Sequence, residues 1–478
     1  MKLTKKMMAV MIVLCFFGFI LSSCGEGVTV VDKVKKAVGI GGGKAEFDHK
    51  NYSDMSDFDP DNPVIPTGDT IKIAIVASFS GPAAIVGDIY WMPVQWAAHD
   101  INKRGGILVD GKKKLVQVIK ADHQSQVPVC KKVAERMVLK EGVHVLWGTN
   151  GSHLMKVINQ VAAKYKVIAQ CTAALSDELY DAQNFTRYSF MSSFSCEQIG
   201  RSFAYFYGKK RKKEKKFYIL CQDYMFGHSL AAGFKKGLKE YYPDAEIVGE
   251  DYHKLFLTDF APYLEKIKAS GAEVIYTGDW VPDAANLLIQ ARQAGITLPF
   301  ANVFMNEPNF LHKVGVEGTT GLMNIDQFAS KPPAFQTEEY KNFYLSWHNL
   351  YKNKWQGKWK NYLWAHGTST MGSYRQQTYW LLSVIERAGT LDPEKIIEVW
   401  EGDTYTMANG HEITMRACDH KAVQDLYISE FGPPELQKKT YNIEPYYWYQ
   451  GCSSAVDVTE IPANKILPAM DTKLERCQ

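Results

Sequence analysis

Residues 71–77, IKIAIVA, form an apolar run that alternates too little for a half-exposed strand. The run therefore reads as a strand buried on both faces, as in a parallel sheet covered by helices. Ser80-Gly81-Pro82 breaks it, and Val94, Ala97, Ala98 and Ile101 then recur at helical spacing up to Arg104-Gly105-Gly106, where glycine ends the helix. This is a first βα unit, and it commits the chain to parallel neighbours reached by crossovers. The pattern continues with strands at 115–121, 143–147 and 167–171 and helices at 127–140 and 152–164. A second series has strands at 217–221, 245–251, 273–277 and 300–304, with helices at 227–240, 259–270 and 283–294. Alternating β and α elements predict α/β sheets with helices on both faces, and about 400 residues exceed one ordinary core, so two lobes are expected.

The leader pairs Lys2, Lys5 and Lys6 with an apolar run over 7–21 that closes on Leu21-Ser22-Ser23-Cys24. That run is shorter than the roughly 20 residues a membrane span needs, and it ends in small residues, so residues 1–23 read as an export signal. Leu-Ser-Ser-Cys resembles a bacterial lipobox, which implies lipidation of Cys24 and attachment to the periplasmic side of a membrane. Gly25 follows in place of the aspartate of the familiar inner-membrane retention signal. Residues 24–69 are rich in glycine, acidic residues and proline and read as a lipid-anchored flexible linker, spanning about 35–40 Å as a random coil. Lys44 follows three glycines, but no strand precedes it and no Ser or Thr follows, which excludes a phosphate loop.

Lys+Arg 55 against Asp+Glu 52 gives no field that favours nucleic acid. The one basic block, 209–216, reads as a solvated connection. Of nine cysteines, seven remain once Cys15 is removed and Cys24 lipidated: Cys130, Cys171, Cys196, Cys221, Cys418, Cys452 and Cys477. Export permits pairing, and Cys418–Cys452 is the first expectation, with Cys452–Cys477 as the alternative. No Cys-x-x-Cys or His/Cys spacing suits a metal, and no cofactor motif is present. Gly-x-Ser-x-Gly, His-Glu-x-x-His and the dinucleotide glycine pattern are all missing, so an enzyme is not expected. His411-Glu412 and Asp419-His420 read as structural.

Ser-Gly-Pro followed by Gly87-Asp88, and Asp100-Ile101-Asn102 before Gly105-Gly106-Ile107, resemble the opening of the leucine/isoleucine/valine-type (type I) periplasmic solute-binding proteins of ABC importers. The helix ending in Ile385-Glu386-Arg387-Ala388-Gly389 and the stretch Arg416 to Asp419-His420 resemble later members of the same pattern. The resemblance covers roughly residues 71–431. It implies a two-lobe fold with a three-crossing hinge: 70–193 and 328–405 in lobe 1, 194–327 and 406–450 in lobe 2, and 451–478 as a C-terminal extension. The cystine that the family often carries before its first ligand loop would fall on Gln126 and Gly151, so it is absent here.

In open α/β sheets ligands lie at the carboxyl ends of strands. The loop 148–152 offers Ser152 at a helix start, where hydroxyl and amides suit an anion. The resemblance places Ser152 on the family's carboxylate-binding serine and Ala173 on its main-chain ligand position, with Ala174 and Ser176 beside it and Leu175 replacing a threonine. From lobe 2 it brings Phe226 and Trp280, and Trp91 is expected to join from lobe 1. Where amino-acid-binding members carry an acidic partner for the ligand ammonium, this chain has Phe304. An unpartnered ammonium costs several kcal/mol to bury, so either Asp279 or Glu307 has taken that role or the ligand has no ammonium. The expected function is an extracytoplasmic receptor that binds a small carboxylate and delivers it to ABC permease membrane subunits. An apolar or aromatic acid is preferred, with a branched-chain or aromatic amino acid as the alternative. A ligand-sensing lipoprotein that signals to a membrane receptor is the second reading.

Overall fold

The computed structural model describes residue 47 and residues 52–306, 308–327, 369–436 and 453–478, with scattered positions between 337 and 354. Residues 1–23, expected to be an export signal, and Cys24, Glu307 and Cys452 lie outside the described residues. Among the described residues no helix is long and apolar enough to cross a membrane.

The first lobe contains β1 (Ile71–Ala77), the hairpin β2 (Ile107–Val109) and β3 (Lys112–Lys114), β4 (Val116–Asp122), β5 (Val145–Gly148), β6 (Ile168–Cys171) and β7 (Ser189–Met191). Helices α1 (Ile85–Lys103), α2 (Val127–Arg136) and α3 (Ser152–Tyr165) make the crossovers. β1 is buried at every position but Lys72, as its apolar run requires. It pairs in parallel with β4 on one side and β5 on the other, in the sheet order β4-β1-β5-β6-β7. The order in which successive strands are added therefore reverses at β1, and a crevice opens at the carboxyl ends of β1 and β5.

The second lobe repeats this plan with α4 (Cys196–Tyr205), β8 (Lys216–Gln222), α5 (Met225–Tyr241), β9 (Glu246–His253), α6 (Ala261–Ser270), β10 (Val274–Tyr276), α7 (Asp283–Gln293), β11 (Phe300–Asn302), α8 (Pro308–Thr319) and β12 (Met323–Asp326). Its order begins β9-β8-β10-β11-β12, all parallel, with the matching switch point between β8 and β10. Ser195 and Gln198 form a capping box that starts α4 just after the first crossing. α4 then lies so close to α5 that a Cβ on Gly200 would sit 2.2 Å from the Gly233 carbonyl carbon, a contact only glycine allows.

The chain returns to the first lobe in α9 (Ser369–Ala388) and α10 (Pro393–Trp400). Tyr379 of α9 donates to the buried Asp100 of α1 at 2.6 Å. A small antiparallel sheet follows, β13 (Thr404–Thr406), β14 (Glu412–Met415) and β15 (Ala422–Gln424). It packs on the first lobe: His420 stacks on Phe190 at 4.0 Å, Lys421 bridges Met191, and Arg387 pairs with Asp403. The third crossing therefore falls near residue 425, later than the expected 406.

β16 (Leu426–Gly432) joins β12 antiparallel, and β17 (Ser454–Ile461) joins β16. Residues past 450 thus extend the second sheet, where an extension outside both lobes was expected. The chain then crosses a fourth time. Asp471 accepts from the Ala182 N–H, the Pro468 carbonyl accepts from Arg416, and Cys477 forms a disulfide with Cys418, all on the first lobe. This pairing replaces both expected bridges. The sequence could not select it, because seven thiols allow many pairings and only the tail's return path decides among them.

Residues 52–69, expected to be part of a linker, are docked on the first lobe. Met55 and Phe58 are buried, Phe58 sits edge-on to Trp96 at 5.5 Å, and the Ser53 N–H donates to Asp100. Apolar side chains in a proline-rich, acidic stretch bind it to α1 where composition alone suggested a tether.

Candidate functional site

The two switch points face each other across a cleft of about 620 Å³, counting its open mouth. Lobe 1 contributes Val86, Ile89 and Tyr90 from α1, Asn150, Gly151 and Ser152 from the β5–α3 loop, Ala173 after β6, and Tyr374 of α9. Lobe 2 contributes Tyr224, Phe226, Trp280, Val281, Phe304 and Asn306. Of the residues expected from sequence, Ser152, Ala173, Phe226, Trp280 and Phe304 meet here.

Gly151 at φ 89° turns the chain into α3, whose first turn has no side-chain cap. The helix start therefore presents free amide donors and a partial positive charge toward the cleft. Ser152 is 1% exposed, and its Oγ accepts from the Ser176 N–H at 3.3 Å. Behind this loop, the His123 Nδ1 accepts from the Ser125 N–H at 3.1 Å, so the proton sits on Nε2, which donates to Thr149 Oγ1 at 2.7 Å. Burial pushes His123 down to about 4, so it holds the loop as a neutral ring. Burial likewise lowers His153.

Three expected residues do not line the cleft. Ala174 is buried beneath it, its carbonyl accepting from the Cys171 thiol. Ser176 is fully buried and acts through its backbone bond to Ser152. Trp91 donates to the Pro60 carbonyl at 2.8 Å, with Lys120 4.1 Å above its ring. The helix explains this: Val86, Ile89 and Tyr90 share one face at i, i+3 and i+4, whereas Trp91 is turned about 100° from Tyr90. That spacing was available as a signal in the sequence for Tyr90, but Tyr374, more than 280 residues away, carried none.

The aromatic residues of the cleft contact one another. Trp280 donates its indole N–H to the Tyr224 hydroxyl at 3.0 Å, and the Tyr90 and Tyr374 rings meet edge-on at 5.0 Å. Burial raises all three tyrosines above their ordinary value, so they stay neutral. None of the described lining residues is charged. Asp279, one of two candidates for an ammonium partner, is 0% exposed and bound to His253 Nε2 at 2.9 and 3.1 Å, which turns its carboxylate into lobe 2 and out of the lining. His411, Asp419 and His420 are structural: His420 bonds Glu401 and the Ser189 carbonyl, and Asp419 pairs with Arg416, all outside the lining.

Residues 70–434 match the periplasmic-binding-protein family. A Leu/Ile/Val-binding protein homologue of Brucella abortus is 23% identical over 404 residues, covering 82% of this chain and 92% of its own length. The leucine-, isoleucine-, valine-, threonine- and alanine-binding protein of Pseudomonas aeruginosa is 25% identical over 347 residues, covering 72% and 85%. Among solved structures, a solute-binding protein of an R. palustris ABC transporter in complex with 4-hydroxybenzoate superposes with a TM-score of 0.68 at 20% identity, covering 85% of this chain and 99% of that one. A branched-chain amino acid transporter substrate-binding protein of Streptococcus pneumoniae in complex with isoleucine gives 0.62 at 22% identity, covering 76% and 97%. At these identities the structural likeness establishes the two-lobe fold.

Proposed function

Because this chain belongs to the periplasmic-binding-protein family, whose members bind solutes and are not enzymes, we propose that it is the extracytoplasmic receptor of an ABC importer for a small carboxylate with an apolar or aromatic body. One observation carries the ligand class: an uncapped helix start with Ser152 faces a neutral aromatic wall, and no charged side chain lines the described cleft. The amides of α3 and Ser152 hold the carboxylate, and Phe226, Trp280 and Phe304 receive the body of the ligand through ring contacts. Among the described lining residues an α-ammonium group has no carboxylate to meet, and Asp279 is occupied by His253. That relatives bind amino acids in one case and 4-hydroxybenzoate in another is compatible with a fold whose wall residues set the ligand.

Closing requires contacts from both lobes, because only a ligand that binds the closed form better shifts the equilibrium. The closed form is then the species a permease recognises. Lipidation at Cys24 would keep the receptor near that permease.

Calorimetry on unfolded and refolded, ligand-free protein tests the reading. Benzoate and 4-methyl-2-oxopentanoate should bind, and leucine and phenylalanine should not. Tight binding of the two amino acids with none of the acids would reject the ligand class and point to Glu307 as the ammonium partner.

A further inference from the structure

The cleft segment Trp280-Val281 is bracketed by two buried acids, Asp279 before it and Asp283 two residues after it, both 0% exposed. Each is held by a different strand end of lobe 2. His253, the last residue of β9, binds Asp279 through Nε2, and its Nδ1 reaches the Lys254 carbonyl at 2.9 Å. A carboxylate on one ring nitrogen and a carbonyl on the other both need a donor, so the ring is an imidazolium. Asp283 Oδ2 accepts from Gln222 Nε2 at 2.7 Å and from the Phe256 N–H at 2.9 Å, while Oδ1 is buried with no acceptor or donor in reach. Phe256 in turn lies edge-on to Trp280 at 6.0 Å.

We propose that His253 and Asp283 are positioning residues for ligand binding, setting the place of Trp280 through two protonated groups, so that affinity falls as those protons leave. The inference rests on the cleft being the ligand site and goes beyond it in naming what controls its wall. Loss of the Asp283 proton puts a second bare carboxylate beside Asp279, in a site with one cation. Loss of the His253 proton removes that cation. Either step repels or releases the ends of the Trp280-Val281 segment.

The pKa directions agree with the geometry. Burial, with Asp279 adding to it, raises Asp283 to about 6. Burial pulls His253 down, but the bond and charge of Asp279 outweigh it and leave His253 raised. The other groups facing the cluster are Cys221 and Tyr224, both raised by burial and therefore neutral, and from α6 the rings of Phe260 and Tyr263. Asp223 pairs with the exposed His228.

The full chain labelled with 5-fluorotryptophan gives the test, with the Trp280 resonance assigned by its loss in W280F. In ligand-free wild type that resonance should move between pH 5 and pH 8.5. D283N, which fixes the neutral form, should remove the lower step, and H253Q the upper one. Benzoate affinity should fall about tenfold over the same range in wild type, and by less in D283N, where only the His253 step remains. A Trp280 resonance flat with pH, or one that titrates alike in all three proteins, overturns the proposal. If the resonance titrates as stated and benzoate does not bind, the positioning role stands and the ligand class is the part that fails. Should H253Q not fold, D283N alone decides.

Discussion

The Ser176 backbone N–H donates to Ser152 Oγ across 3.3 Å, tying the loop after β6 to the first residue of α3. Both residues are buried, so one hydroxyl organises the two loops that carry lobe 1's polar contacts, with Ala173 between them. The same oxygen has its proton free for a ligand oxygen, since in its bond to Ser176 it is the acceptor.

Ser152→Ala should therefore weaken binding of a carboxylate ligand by about 10- to 100-fold, the worth of a hydrogen bond to a charged group. Ser152→Thr should recover most of it. Calorimetry with benzoate measures both, and an unchanged affinity in the alanine variant would remove Ser152 from the site.

Asp279 and His253 form a pair with no solvent contact on either side. Breaking such a pair from one end leaves a buried charge unpaired, so Asp279→Asn should cost about 3–5 kcal/mol of stability by urea unfolding at pH 6. A loss below about 1 kcal/mol would mean that His253 is neutral in the folded protein.

The raised Asp283 has a definite sign in stability. The folded state holds this proton up to about pH 6, whereas the unfolded chain releases it near the ordinary value of 3.8. Folding therefore binds a proton between those values, and this group's contribution falls as pH rises from about 4 to 6, by an amount of order 3 kcal/mol. His253 acts in the same direction at higher pH, because its raised value makes its contribution complete below the unfolded value and lost as pH rises through the folded one. Asp283→Asn should flatten the acid part of the wild-type profile and gain relative stability at pH 8. Parallel urea midpoints for the two proteins from pH 4 to 8 would contradict the assignment.

Much of this architecture is legible because burial on both faces writes itself into composition. β1, β5, β8 and β10 are near-continuous apolar runs, and the loops after them are where the cleft lies. Ser152 and Trp280 sit at strand ends, where the family resemblance also placed them. What stayed hidden depends on distant pairing. Tyr374 reaches the cleft only because α9 packs on α1, and β17 is recognisable as a strand only once β16 is there to bond it. Asp279 reads as an available acid until His253, from another strand, is seen to occupy it. Trp91 fails for a local reason, one residue of helical rotation, and for the docked segment around Pro60 that gives its indole another partner.

That docked segment is itself testable. Phe58 is 2% exposed and packs on Trp96, so Phe58→Ala should cost about 3 kcal/mol if the segment folds with the lobe. The loss would be smaller if the segment can peel away alone. Protease cleavage near residue 60 distinguishes the cases: it should be slow in wild type and fast in the variant. Rapid cleavage of wild type would restore the longer tether.

Cys418–Cys477 closes a loop of 59 residues that contains β16 and β17 of the second lobe, while both sulfurs sit on the first. The disulfide therefore locks a fourth strand of chain across the hinge. Restricting a loop of this length in the unfolded chain is worth about 4 kcal/mol in the chain-entropy account. Arg476 with Glu401 and Asp471 with the Ala182 N–H hold the same tail without covalent help. The double variant Cys418→Ser/Cys477→Ser should thus keep the fold, lose a few kcal/mol of stability, and open further without ligand, because one of four crossings has become easier to stretch. Small-angle scattering of the ligand-free protein should give a larger radius of gyration for the variant, with the ligand-bound values equal. Equal values in both states would show that the tail fastens the C-terminus without bearing on lobe movement.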